Sequence, residues 1–291
     1  MITPLTAEGQ LDHKGLERLI EHMVSGGVHG IFLLGTNGEA PSLTYELRKE
    51  LITEACKQIN HRVPVLVGIS DTSFQGSIDI AEHAKESGAD VVVIAPPYYF
   101  PISENEMADY LESLVPKLPL PFMLYNMPSC TKMHISLKIV RLAKELGALG
   151  IKDSSGNLDY LYSLIDAFKD SPEFSIIVGT ESFLSDTIMH GGHGAVAGGA
   201  NFLPKLFVDL YNASLQNNVV VVNELNEKVK YVYDTIYSVG QYESRVTKGI
   251  KSALSVMGIC EDFMALPLRR FGPEEREKIK GYLENLELLP A

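Results

Sequence analysis

Short apolar runs alternate along the chain with longer segments in which apolar residues recur every three to four positions. The runs at 27–34 (GVHGIFLL), 63–69 (VPVLVGI), 90–95 (DVVVIA), 121–125 (PFMLY), 147–152 (GALGIK), 174–178 (FSIIV) and 193–197 (HGAVA) predict seven strands. Most are continuously apolar, the signature of a parallel sheet covered on both faces. Between them, Leu16, Leu19, Ile20, Met23 and Val24 fall on one helical face, with Glu17, Arg18, Glu21 and His22 opposite. Leu47, Leu51, Ile52, Ala55, Cys56 and Ile59 repeat the pattern, as do Ile139, Leu142, Ala143 and Leu146. Ser103 followed by Glu106 predicts a capping box at the start of another helix.

Strand starts at 27, 63, 90, 121, 147 and 174 are one β-loop-α-loop unit apart, which implies a barrel or a doubly wound sheet. A closed barrel needs eight strands. The eighth would have to be residues 1–4, too short for a full strand, so a truncated and frayed first strand is expected. After residue 200 only helices are predicted, at 205–216, 219–239, 243–257 and 273–286. The last opens with Pro273, Glu274 and Glu275, which suit a helix N-terminus. The expected organisation is a barrel over 1–217 with a helical extension over 218–291.

Composition narrows the function classes. At 291 residues, 45% hydrophobic and 21% charged, the chain can bury a large core unaided. A formal charge of −12 argues against nucleic acid or an anionic membrane as partner. No apolar run reaches the roughly 18 residues of a membrane span, and the first residues lack a secretory signal. Cys56, Cys130 and Cys260 are few, odd in number and widely spaced. A reducing, cytoplasmic setting is therefore expected.

Chemistry in such folds gathers where strands end. The strand ends carry Gly35-Thr36-Asn37-Gly38-Glu39, Ser70-Asp71, Tyr98-Tyr99, Tyr125-Asn126, Lys152-Asp153-Ser154, Gly179-Thr180-Glu181 and Gly198-Gly199. Lys152 closes an apolar strand, whereas other lysines fall on polar helical faces. There it is either a Schiff-base nucleophile or a side chain reaching solvent or pairing with Asp153. Tyr125 is either a proton-shuttling phenol or a buried structural tyrosine. The Gly35–Gly38 stretch offers backbone N–H groups to an anion, but Asn-Gly is also a common turn. His190 and His193 flank two glycines without a third ligand nearby, and read as a tight turn and a strand start. No metal and no cofactor are expected.

Taken in order, five of these motifs resemble the dihydrodipicolinate synthase / N-acetylneuraminate lyase family of class I, pyruvate-dependent aldolases. They are Gly35-Thr36-Asn37-Gly38-Glu39, Tyr98-Tyr99, Tyr125-Asn126-Met127-Pro128-Ser129, Gly150-Ile151-Lys152-Asp153 and Gly191-Gly192-His193-Gly194-Ala195-Val196. The resemblance spans essentially the whole chain. It implies an α/β fold, a (β/α)8 TIM barrel with a C-terminal helical extension, assembled as a homotetramer. It implies that Lys152 forms an imine with a 2-oxo acid and that Tyr125 moves protons to the aldol oxygen. Thr36 would hydrogen-bond Tyr125, and Tyr99 would reach in from a neighbouring subunit. Asn37 with Thr36 would hold the pyruvyl carboxylate, and Val196 would place its carbonyl beside Lys152. Gly179 would belong to the same substrate-binding set.

Two departures bear on the substrate. Cys130 stands where dihydrodipicolinate synthases carry an arginine for the semialdehyde carboxylate, and a bidentate cation has no neutral substitute. Asn37 replaces their second threonine. Ser154 and Glu181 could bond sugar hydroxyls as in sialic acid lyases, and the 197–204 stretch looks closest to the 2-keto-3-deoxy-sugar-acid aldolases. The expected activity is a lyase cleaving or forming a 2-oxo acid from pyruvate and a hydroxylated aldehyde. Other readings are condensation of pyruvate with aspartate semialdehyde, a dehydratase working through the same imine, and a non-catalytic 2-oxo-acid binding protein.

Overall fold

Seven parallel strands form one sheet in the order β1 to β7, each paired with the next in sequence, in a computed structural model that describes residues 1–289. They are β1 (Ile31–Leu33), β2 (Val65–Gly68), β3 (Val91–Ile94), β4 (Phe122–Asn126), β5 (Gly150–Asp153), β6 (Ser175–Val178) and β7 (Gly194–Ala195). All seven apolar runs thus become strands, and all but β4 are shorter than the run. The helices α1 (His13–Ser25), α2 (Tyr45–Ile59), α3 (Phe74–Glu86) and α4 (Glu104–Leu114) precede or separate the early strands. A single turn α5 (Pro128–Thr131), then α6 (Leu137–Glu145), α7 (Leu158–Phe168) and α8 (Leu184–Met189) follow. The chain ends in α9 (Pro204–Leu215), α10 (Val219–Asp234), α11 (Arg245–Val256) and α12 (Pro273–Asn285).

Side chains alternate across the sheet, and the alternation divides the interior in two. Ile31, Leu33, Val92, Ile94, Phe122, Leu124, Ile151, Ile176 and Val178 point outward into the main core, against Leu16, Leu19 and Ile20 of α1 and their counterparts on later helices. The intervening residues Phe32, Val93 and Tyr125 form a second, smaller cluster with Ala95 on the opposite face, and Leu66 packs on it. Lys152 lies between the outward-facing Ile151 and the buried Asp153, so it shares Tyr125's face.

Helix starts follow local chemistry. Asp12, Thr44, Ser73, Ser103, Ser136 and Asn157 each accept an N–H from the first turn of the helix they precede. The capping box at Ser103 and Glu106 forms in both directions. Pro273 opens α12 with Glu274 and Glu275 in its first turn.

Two expectations are corrected. Residues 1–4 form no strand, so the described residues give a sheet of seven strands and not the eight of a closed (β/α)8 barrel, yet these residues are not frayed: Ile2 and Thr3 are fully buried. Ile2 N–H donates to Asn201 Oδ1 at 2.8 Å and Thr3 Oγ1 to the Gly38 carbonyl at 2.7 Å, so side-chain and loop partners replace a ladder. The helix expected over 219–239 stops at Asp234. Thr235 leaves helical backbone, and a tight turn over Ile236–Ser238 swings Tyr237 into the interior.

Candidate active site

A cavity of about 340 Å³ opens at the C-terminal ends of the strands, bounded by Thr36, Asn37, Tyr125, Lys152, Gly179 and Val196. Its floor is set by strand register. Tyr125 on β4 pairs with Lys152 on β5, and both face inward. The Lys152 ammonium lies 3.8 Å from the centre of the Tyr125 ring, and Phe32 meets that ring edge-on at 6.1 Å. Tyr125 Oη and Thr36 Oγ1 are hydrogen-bonded at 2.9 Å, so the phenol is both packed and oriented.

One residue further along, the same register brings Asn126 against Asp153 on the outer face. Asn126 Nδ2 donates to Asp153 Oδ1 at 2.7 Å, tying the ends of β4 and β5 together beside the reactive pair. Asp153 also accepts from the Ser155 N–H and hydroxyl. Burial pushes its carboxyl above the ordinary range, against the hydrogen bonds from Asn126 and Ser155. Asp153 is thus engaged behind the sheet and makes no ion pair with Lys152, which leaves the lysine free within the cavity.

The Gly35–Glu39 loop shapes one wall. Its tight turn is closed by Gly38 N–H to the Gly35 carbonyl and Glu39 N–H to the Thr36 carbonyl. The amides of Thr36 and Asn37 take no part in that closure, as the first donors of such a turn. Asn37 Oδ1 accepts from Thr247 Oγ1 at 2.9 Å, so its amide N–H groups are left for the cavity. Gly179 is glycine for a spatial reason. A Cβ there would collide with Ser154 Oγ and stand 2.9 Å from Lys152 Cε.

Of the other expected site residues, Ser154 and Cys130 line the same cavity, with Cys130 exposed at its mouth. Glu181 does not. It is buried behind the wall, where Oε2 accepts Gly199 N–H at 2.9 Å and Oε1 accepts the Tyr237 hydroxyl at 2.8 Å. Burial raises its pKa, partly offset by those donors. Both oxygens are engaged, so it buttresses the loop after β7 and is not placed to bond a substrate hydroxyl. Tyr99 is also outside its own chain's cavity, 81% exposed beside the exposed Phe100. The two histidines separate: His190 stacks on Tyr162, and His193 Nδ1 accepts Ile176 N–H at 3.0 Å.

Among the lining residues that the sequence did not assign to the site are the polar Thr180, Tyr233, Glu243 and Thr247. Thr180 stood at a recognised strand end. The other three come from the helical tail, where a polar residue facing a distant cavity has the same local pattern as one facing water.

The chain matches the Dihydrodipicolinate synthetase family over residues 1–286. It belongs to that family. Among family relatives, a structure of dihydrodipicolinate synthase from Bacteroides thetaiotaomicron is 47% identical, with a TM-score of 0.95 over 98% of this chain and 96% of that one. A structure of YagE from Escherichia coli K12 in complex with pyruvate is 30% identical, with a TM-score of 0.93 over 99% and 97%. That protein is provisionally named a 2-dehydro-3-deoxy-D-gluconate aldolase, 36% identical over 98% of this chain and 95% of its own length. The 4-hydroxy-tetrahydrodipicolinate synthase of Neisseria meningitidis is 30% identical over 98% and 96%. Like other members of the family, the protein is a lyase of the Schiff-base-forming, pyruvate-dependent class. None of its described helices is long and apolar enough to cross a membrane.

Proposed function

We propose that the protein cleaves and forms a 2-oxo acid from pyruvate and an uncharged, hydroxylated aldehyde, with Lys152 as the imine-forming lysine. The observation that carries this is the composition of the cavity beyond Lys152. Ser129, Cys130, Ser154, Thr180, Tyr233 and Thr247 offer hydroxyl and thiol groups, Glu243 offers a carboxylate, and Lys152 is the one cationic side chain among the lining residues. An anionic aldehyde would find no guanidinium there to offset its desolvation.

In this reading Thr36 and Asn37 hold the carboxylate of the 2-oxo acid through their amides, and Val196 closes the wall beside Lys152. The Lys152 amine adds to C2, and loss of water gives a protonated imine. The C3–C4 bond then breaks, its electron pair passing into the iminium as an enamine. The Tyr125 hydroxyl relays the proton of the C4 hydroxyl as the aldehyde leaves, accepting it while giving its own to Thr36 Oγ1, whose proton passes to water. Protonation of the enamine at C3 and hydrolysis of the imine release pyruvate and restore Lys152. The near contact of Lys152 Nζ with the Tyr125 ring and the Thr36–Tyr125 hydrogen bond support these roles.

The exposure of Tyr99 supports its insertion into a second subunit's site, and with it a homotetramer. The line of α/β units over 1–217, with residues 1–4 in the place of a first barrel strand, and the tail over 218–291 make up one catalytic unit under this reading. A second reading, condensation of pyruvate with aspartate semialdehyde, is favoured by the 47% identity to the Bacteroides enzyme.

A panel of aldehydes assayed in both directions tests the proposal. Glyceraldehyde and glycolaldehyde are expected to be condensed with pyruvate in preference to aspartate semialdehyde. Preference for the semialdehyde would overturn the substrate class and leave the second reading.

A further inference from the structure

Helix α11 presents Thr247 and Lys251, one turn apart, to the loop that lines the active site. Thr247 Oγ1 donates to Asn37 Oδ1, and Lys251 Nζ lies 2.5 Å from Glu39 Oε1. Residues four apart share a helix face, so two contacts from one face meet two positions of one loop. Lys251 is fully buried. Its ammonium also donates to the Phe263 carbonyl at 2.6 Å, while Glu39 Oε2 accepts Ala265 N–H at 2.9 Å.

This is an expensive arrangement. Burial lowers the pKa of Lys251, countered chiefly by the Glu39 charge and hydrogen bond. Buried ion pairs of this kind add little net stability over apolar packing. Glu39 adds a second cost, since its backbone is left-handed at φ +57° without being glycine. Neither Glu39 nor Lys251 borders the cavity. What the pair does accomplish is geometric: it fixes the end of the turn whose opening amides belong to Thr36 and Asn37.

We propose that Glu39 and Lys251 are a positioning pair, which anchors the Gly35–Glu39 loop to α11 so that it is preorganised for the carboxylate of a 2-oxo acid. The ligand named here rests on the function proposed above; the anchoring does not. The C-terminal helices are then part of the binding machinery, which accounts for α11 reaching the loop at two points. Thr247 holds the inner end of the same loop, and Ile250 between them packs close to Gly198 on the facing loop.

The test uses the full chain with Glu39→Gln and Lys251→Met combined, which removes both charges together and so avoids stranding one of them. Two quantities are read in folded protein. The first is hydrogen exchange at the Gly35–Glu39 amides without ligand, expected to accelerate while α2 is unchanged. The second is the pyruvate concentration giving half-maximal borohydride trapping, expected to rise about tenfold, as for one lost hydrogen bond to a charged group. A purely structural role predicts wild-type values of both once melting temperature is restored. Unchanged exchange together with half-saturation within about twofold of wild type would overturn the positioning role. If the double variant fails to fold, Glu39→Gln alone carries the same two expectations, because it keeps an acceptor for Ala265. Failure of the wild type to trap pyruvate would overturn the function and the ligand named here, and the exchange result distinguishes that outcome.

Discussion

The Tyr125 hydroxyl and the Thr36 hydroxyl lie 2.9 Å apart, joining the end of β4 to the loop after β1 across 89 residues of sequence. Beneath them the Tyr125 ring receives the Lys152 ammonium on its face at 3.8 Å. One side chain therefore has two separable duties: its ring packs the lysine and its oxygen handles a proton.

Tyr125→Phe separates them. The ring remains, so Lys152 should still be trapped by pyruvate and borohydride at close to the wild-type extent. Carbon–carbon bond cleavage should fall by roughly 10²–10⁴-fold, the usual worth of a positioned acid or base. Thr36→Val should show a milder form of the same division. Parallel loss of trapping and cleavage in Tyr125→Phe would mean that the hydroxyl is not the proton carrier.

Cys130 stands exposed at the cavity mouth, without a cationic side chain among the residues that line the cavity beside it apart from Lys152. Cys130→Arg should raise the affinity for an aldehyde bearing a carboxylate. A charge-assisted hydrogen bond contributes about 1.5–3 kcal/mol, or roughly tenfold or more in KM. Inhibition constants for a small dicarboxylate measured on both proteins would check this. No gain would show that position 130 does not set specificity.

Much of this site was legible in the sequence, and the reason is physical. A polar residue that closes a continuously apolar strand has few places to go, so position made Tyr125 and Lys152 candidates, and the run of motifs in family order, not position alone, singled them out together with Asn37. Glu181 satisfied the same rule and misled. A carboxylate at a strand end reads identically whether it faces the cavity or a neighbouring loop, and its partner Tyr237 lies 56 residues away. Thr247 and Lys251 were invisible for a related reason. On an isolated amphipathic helix they look like a solvated face, and their partners are 210 and more residues distant in the loop at Asn37 and Glu39. The end of α10 at Asp234 escaped as well, because Thr235 breaks the helix without a glycine or proline to announce it.

The burial of Glu181 also predicts a pH dependence. Its folded-state pKa is raised, by burial first, above the ordinary value of 4.5. Between that value and the raised one, the folded protein binds more protons than the unfolded chain. Stability from this group is therefore greatest at low pH and is lost as pH rises through the raised pKa. Glu181→Gln removes the titration. Urea unfolding of both proteins should show the variant gaining on the wild type as pH climbs from the ordinary value of 4.5 through the raised pKa, then a constant difference. A difference independent of pH would contradict the raised pKa.

The central claim is that Lys152 is the imine-forming residue. Incubation with pyruvate, reduction with borohydride and peptide mapping by mass spectrometry test it most directly. The account predicts one reduced pyruvyl adduct per chain, on the peptide containing Lys152, and none in Lys152→Ala. An adduct on another lysine, or no adduct in the wild type, would contradict it.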